Sequence, residues 1–234
     1  MRYEFRKEMH ELQDTLTAQA RGAATAMRRS AASLRDANLA LAESVIDADA
    51  QIDLLERTVD DMGISLLARQ APVASDLRTV VSALRMASTL ERMGDLARHV
   101  AYIARGRFPL AAADGAAYEL LTNMADQAAA VGTKMAKLVE TQDMNLAAQL
   151  EEEDEILDNF HRRSFELVLD DTNNLSRQEI VDVVLIGRFL ERYGDHAVSV
   201  ARRMTFLVTG IVPPHEFVPG TEEQMLGGAP LAHE

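Results

Sequence analysis

Cysteine is absent from all 234 residues. That removes disulfide frameworks, thiolate metal sites and cysteine nucleophiles in one step, and it is compatible with a cytoplasmic location. Tryptophan is absent as well, and aromatics make up only 5% of the chain, against 11 methionines and 47% hydrophobic residues in all. Such a balance suits helix-packed interiors of Leu, Ala, Val and Met better than β-sandwich cores. Basic residues are the scarcer charge: 24 Lys and Arg stand against 37 Asp and Glu, a formal charge of −13. Phosphate binding needs clustered Lys and Arg, so nucleic acid is not expected as a partner. Nowhere do 18 apolar residues run together, and the charged start from Met1 to Glu8 holds no apolar signal core. Neither a transmembrane helix nor a secretory leader is therefore expected.

What is present is helical periodicity. Leu12, Leu16, Ala20, Ala23, Met27, Ala31 and Leu34 step by three and four along one face, up to a break at Asp36-Ala37-Asn38. A second helix is predicted from about Leu39 to Gln70. Pro72 then interrupts the pattern, with Ser75 or Asp76 placed to cap a third helix running from about Leu77 to Gly106. Residues 111–115 read as a linker. The pattern restarts from Tyr118 to about Glu140, breaks at Asp143-Met144-Asn145, and runs again from Leu146 to about Leu169. A last helix opens at Ser176-Arg177-Gln178-Glu179, a capping-box sequence, and ends near Gly210. Beyond it, four prolines and little apolar sequence predict a flexible tail over 211–234.

The restart is a repeat. Leu90-Glu91-Arg92-Met93-Gly94-Asp95-Leu96-Ala97 is matched 100 residues later by Leu190-Glu191-Arg192-Tyr193-Gly194-Asp195-His196-Ala197. Extended to Ala101 and Ala201, the match gives eight identities in twelve positions, where composition alone gives about one. Asp49, Asp53 and Arg57 match Asp154, Asp158 and Arg162 at an offset of 105. The expectation is an all-α chain of two tandem three-helix bundles side by side, over 1–110 and 116–210.

Each half carries two acid-x-x-x-Asp pairs: Asp49/Asp53 and Glu91/Asp95, then Asp154/Asp158 and Glu191/Asp195. Residues four apart share a helix face, and a like-charge pair there is mildly destabilising. One such pair means little among 37 acids; the matched register in both halves is informative. Antiparallel packing of the second helix on the third would gather four carboxylates per bundle, which need a counter-charge. Arg57, Arg92, Arg162 and Arg192 could supply it as a salt-bridge network, or a hard cation such as Mg²⁺, Mn²⁺ or iron could sit in the all-oxygen shell. Gly94 and Gly194, each inside a pair, read either as close helix contacts or as room left beside the acids. His99 could extend a site in the first half, but its counterpart is Ser199, and His99, His161 and His196 all read as packed or polar histidines. No phosphate-binding loop, nucleophile elbow, H-E-x-x-H or paired Glu-x-x-His is present, so no catalytic activity is expected.

The doubled Leu-Glu-Arg-x-Gly-Asp, the Pro72-Val73-Ala74-Ser75-Asp76-Leu77-Arg78 turn and the Asp-x-x-x-Asp motifs resemble the PhoU family of phosphate-uptake regulators. The likeness spans roughly residues 1–210, and the second copy departs only at the turn, where Asn173-Asn174-Leu175-Ser176 stands. It implies metal ions (iron, Mn, Mg or Zn, divalent or trivalent) at Asp49, Asp53, Glu91, Asp95, Asp154, Asp158, Glu191 and Asp195. It also implies a negative regulator of phosphate uptake and phosphate-starvation signalling. Such a regulator is a cytoplasmic adaptor between the ATPase subunit of a phosphate ABC transporter and a sensor histidine kinase, often a homodimer, and meets the membrane only through its partners. A carboxylate-bridged metalloenzyme and a purely structural helical scaffold are the alternative readings.

Overall fold

The computed structural model describes residues 2–211. Among them six α-helices follow one another without a strand: α1 (Arg2–Arg35), α2 (Leu39–Gln70), α3 (Ala74–Arg107), α4 (Gly115–Thr141), α5 (Met144–Leu169) and α6 (Arg177–Thr209). The breaks fall where the sequence places them, and each has a local cause. Asn38 caps α2 by accepting from the Leu41 amide at 3.1 Å. Ser176 and Glu179 satisfy each other's backbone amides in a full capping box at the start of α6. Gly210 ends α6 in the left-handed region, at φ 75°, where a residue without Cβ is favoured.

Two details differ from the sequence reading. Helix α3 begins at Ala74 behind Val73, which makes no side-chain cap, so Ser75 and Asp76 lie inside its first turn. Asp76 there still meets the positive end of the helix dipole. Residues 111–115 are not a free linker: Ala112 and Ala113 are buried, and Gly115 already belongs to α4. The expected flexible tail lies outside the described residues.

Helices α1, α2 and α3 pack on one another, as do α4, α5 and α6. The two bundles meet through α1 against α4 and α3 against α6, which sets α2 and α5 on the two outer flanks. Leu12, Met27, Leu90 and Met93 from the first half join Met124, Met135, Leu190 and Tyr193 from the second in one continuous buried core. Burial of this kind contributes about 25 cal/mol per Å² of apolar surface and is the main force holding the bundles together. No described helix is long and apolar enough to cross a membrane.

The junction is closely fitted. Tyr193, the variable residue inside the second repeated motif, is fully buried, and its hydroxyl donates to the Ala23 carbonyl of α1 at 3.3 Å. A Cβ at Gly132 of α4 would fall well inside contact distance of that hydroxyl. Gly132→Ala should therefore destabilise the fold, although Ala is intrinsically the better helix former by about 1 kcal/mol. Overpacking costs about 1–3 kcal/mol; set against that gain, a net loss of up to about 2 kcal/mol is expected in urea denaturation. A gain in stability would show that Tyr193 can move aside.

Candidate metal centre

The acid pairs sit where α2 meets α3 and where α5 meets α6. In each case a glycine lets the helices close up. A Cβ on Gly94 would meet Ile52 at 3.0 Å and the Asp49 Oδ1 at 3.6 Å. A Cβ on Gly194 would meet Leu157 at 2.7 Å and the Asp154 Oδ1 at 3.5 Å. Ile52 and Leu157 occupy matching places in the repeat, so the same packing device is used twice. Of the two sequence readings of these glycines, close approach has direct support. That approach also sets how near the acids of one helix come to those of the next.

In the second bundle, Asp158 of α5 and Glu191 and Asp195 of α6 each offer an oxygen such that all lie within 4.8 Å of one another. Among the described residues it is the one acid or histidine group that converges this closely. Glu191 is buried at 6% exposure, Asp158 is half-buried and Asp195 opens to solvent. An all-carboxylate set drawn from two helices, with one open side, fits a hard cation that keeps waters or other oxygen donors in its remaining positions. Asp154 stands beside the group: burial first, then Asp158 and Asp195, push its carboxyl up to about 7. Burial also raises Asp158, against the pull of Arg162. Carboxylates crowded this way favour a proton or a further cation among them.

In the first bundle, Asp49, Asp53, Glu91 and Asp95 are brought to one face but do not converge as tightly. An arginine stands among them. Arg98 of α3 reaches Asp49 of α2 at 2.6 Å through one guanidinium nitrogen and Asp95 at 2.5 Å through another. Asp49 is only 5% exposed, and burial raises its carboxyl while Arg98 draws it back down. Glu91 is pushed up to about 6, by burial first and then by Asp95, Glu56, Asp53 and Asp49. Glu56 thus belongs to the first acid face; its spacing, three residues after Asp53, was the available sign.

The arginines named from the sequence are not the ones in closest contact. Arg57, Arg92, Arg162 and Arg192 are all exposed, and Arg162 binds Asn159 at 2.6 Å. Besides Arg98, Arg188 holds both Glu191 oxygens at 2.9–3.0 Å from one turn earlier in α6. The histidines are packing groups: His99 lies against Phe189 with ring centres 5.0 Å apart, and His161 meets Phe165 edge-on at the same spacing. His196 is pushed down to about 4 by burial and by Arg192 and Arg92, so it is neutral at pH 7.

Similarity to known proteins follows the same doubled pattern. The chain matches the PhoU domain family twice, over residues 16–104 and 121–204. It is 39% identical over 213 residues to the phosphate-specific transport system accessory protein PhoU homolog 2 of Mycobacterium tuberculosis, covering 91% of this chain and all of that one. It is 38% identical over 221 residues to PhoU homolog 1 of Mycobacterium leprae, covering 94% of this chain and 100% of the relative. The crystal structure of PhoU from Pseudomonas aeruginosa superposes with a TM-score of 0.79 at 27% identity, covering 88% of this chain and 100% of that one. Matched twice by one domain and along most of its length by these relatives, the chain belongs to the PhoU family.

Proposed function

We propose that this protein is a regulatory accessory of a phosphate-specific transport system, one that represses phosphate uptake and the phosphate-starvation response when phosphate is plentiful. Family membership supports the phosphate-transport role, and the convergence of Asp158, Glu191 and Asp195 supports a bound metal within it. In this reading the metal is a structural organiser: it would neutralise the crowded acids and fix the outer helix of each bundle against its neighbour. Asp49, Asp53, Glu91 and Asp95 would serve the first bundle (1–110), and Asp154, Asp158, Glu191 and Asp195 the second (116–210). The protein acts as a cytoplasmic adaptor, presenting long helical faces to the transporter's ATPase subunit and to a sensor histidine kinase, as a homodimer. Extended helix faces are suited to docking other proteins.

The test is genetic. Deleting the gene should switch phosphate-starvation genes on in high-phosphate medium, and complementation should switch them off. Repression that persists in the deletion strain would remove this role. The scaffold reading, in which acids pair only with arginines, draws its support from the Arg98 bridge of the first bundle.

A further inference from the structure

Helices α3 and α6 run antiparallel, with the start of each beside the end of the other. Along α3, Arg78, Arg85, Arg92 and His99 follow at steps of seven. Back along α6 they are met in turn. Arg78 binds the Leu207 carbonyl at 3.0 Å and lies over the Phe206 ring. Arg203 feels the charge of Arg85, and His196 lies close to Arg92 and Arg192. The His99 and Phe189 rings stand 5.0 Å apart. Helices α1 and α4 pack behind this pair, and α2 and α5 flank it; Arg85, Arg92 and Arg192 are exposed on the open side.

The layer of Arg85 and Arg203 is unusual. Two guanidiniums lie near each other across the seam in a chain with 37 acids. Burial and then Arg85 hold Arg203 below its ordinary range, and no carboxylate offsets them. Among the described residues neither arginine enters an ion pair; Arg202, one residue earlier, reaches Glu151 of α5 instead, at 3.8 Å. The fold does not require this charge, because the matching positions in the opposite copies hold Leu185 and Ile103. Like charges brought together without a counter-charge cost free energy. The layer is therefore arranged for a negative group that a partner supplies.

We propose that the groove between α3 and α6 docks an acidic amphipathic helix of a partner protein, whose carboxylates seven residues apart meet first Arg85 and Arg203, then Arg92 and Arg192. Spacing selects a helix. Seven helical residues rise about 10.5 Å, so a single phosphate ion would fill one layer and leave the next unmet. A helix laid along the groove repeats its charges at the same interval. Beyond the arginines, Leu185 and Val181 of α6 are 41% and 49% exposed, which suits an apolar stripe on the same incoming helix. Arginine fits such a surface because its planar fork binds carboxylates in pairs and is weakly hydrated. Arg92 also lies near Glu56 of α2, so the layer of Arg85 and Arg203 should carry more of the binding. This inference rests on the adaptor reading given above, to which it adds one contact face, and is independent of bound metal.

The experiment titrates full-length protein into a fluorescein-labelled, Ala-rich helical peptide with Glu at every seventh position and Leu beside each, read by anisotropy. A second peptide has the same composition with its Glu residues five apart. The seven-spaced peptide should bind at least about tenfold more tightly than the other, and its affinity should fall as salt rises. Arg85→Leu/Arg203→Ile, which installs the residues of the opposite copies, should weaken it by about tenfold or more. Arg85→Gln/Arg203→Gln should do the same, and circular dichroism melts confirm that both variants fold. No binding of the seven-spaced peptide, equal binding of the two peptides, or binding unmoved by the double variants overturns the docking groove. Phosphatidylglycerol vesicles or inorganic phosphate bound through Arg85 and Arg203 in place of the peptide would overturn it too. All of these leave the adaptor reading standing, since the gene deletion tests that separately. Repression that persists in the deletion strain removes the adaptor, and this inference with it.

Discussion

Arg107→Ala should lower folding stability by about 3 kcal/mol, the largest loss expected from one substitution away from the acid clusters. Arg107, near the end of α3, forks onto Asp182, near the start of α6: its Nε binds one carboxylate oxygen closely, and an Nη binds the other at 3.0 Å. Gln178 adds a third bond to Asp182 at 3.1 Å. Asp182 is 1% exposed, so removing its arginine leaves a carboxylate buried with one neutral donor. Breaking buried pairs costs about 3–5 kcal/mol, and the lower end applies because Arg107 itself is one-third exposed. For a chain of this size the midpoint should fall by about 6–12 °C.

The repeat supplies the control. At the matching positions in the opposite copies stand Ser82 and Leu207, with no charge between them. Arg107→Leu/Asp182→Ser should therefore recover most of the loss, because no buried charge is left unpaired. Thermal and urea denaturation of the single and double variants decide it. A single variant as stable as wild type would show that water enters the junction and solvates Asp182. A double variant no better than the single would show that the pair itself, and not the orphaned charge, carries the energy.

This clamp marks the limit of what could be read from the chain. Helix spacing is local, so the six helices, the breaks at Asn38 and Asp143 and the capping box at Ser176 were all legible. The repeat made the facing of the acid pairs legible too, since two copies in one register imply one antiparallel packing. Partners across helices were not. Arg98 follows Asp95 by three residues, yet its more telling contact is with Asp49, 49 positions away. Asp182 belongs to no motif in the sequence; the docking of α3 on α6 buries it. Tyr193 occupies the variable place in a motif and gave no sign that its hydroxyl would reach α1. Length and charge fix which side chains can make such contacts. The crossing of helices distant in sequence decides which ones do.

The acid faces lead to a second large effect, a reversal of the usual dependence on pH once metal is removed. Asp154 is raised to about 7 and Glu91 to about 6 in the folded chain, whereas both titrate near 4 when unfolded. Between pH 4 and 7 the folded state therefore holds protons that the unfolded state has released. Stability must then fall as pH rises through this window. Asp49, Asp158 and Glu56 are raised as well and act in the same direction. Glu179, lowered by its capping box, contributes stability that is lost only below the ordinary glutamate range, outside this window. For Asp154 the rise from 3.8 to about 7 corresponds to at most about 4 kcal/mol; entry of water and relaxation of its acidic neighbours reduce the expectation to about 2 kcal/mol. Chelator-treated protein should thus be more stable at pH 5 than at pH 8 by about that amount, and Asp154→Asn should flatten most of the slope. Metal does the opposite, because it binds the deprotonated acids and releases their protons. At a hundredfold excess over its dissociation constant a bound ion adds about 2.7 kcal/mol, so EDTA should lower the melting point clearly at pH 7.5 and hardly at all at pH 5. An EDTA melt that matches the loaded protein at pH 7.5 would count against the metal centre. A chelated protein that gains stability from pH 5 to 8 would show that the acids are already neutralised by their arginines.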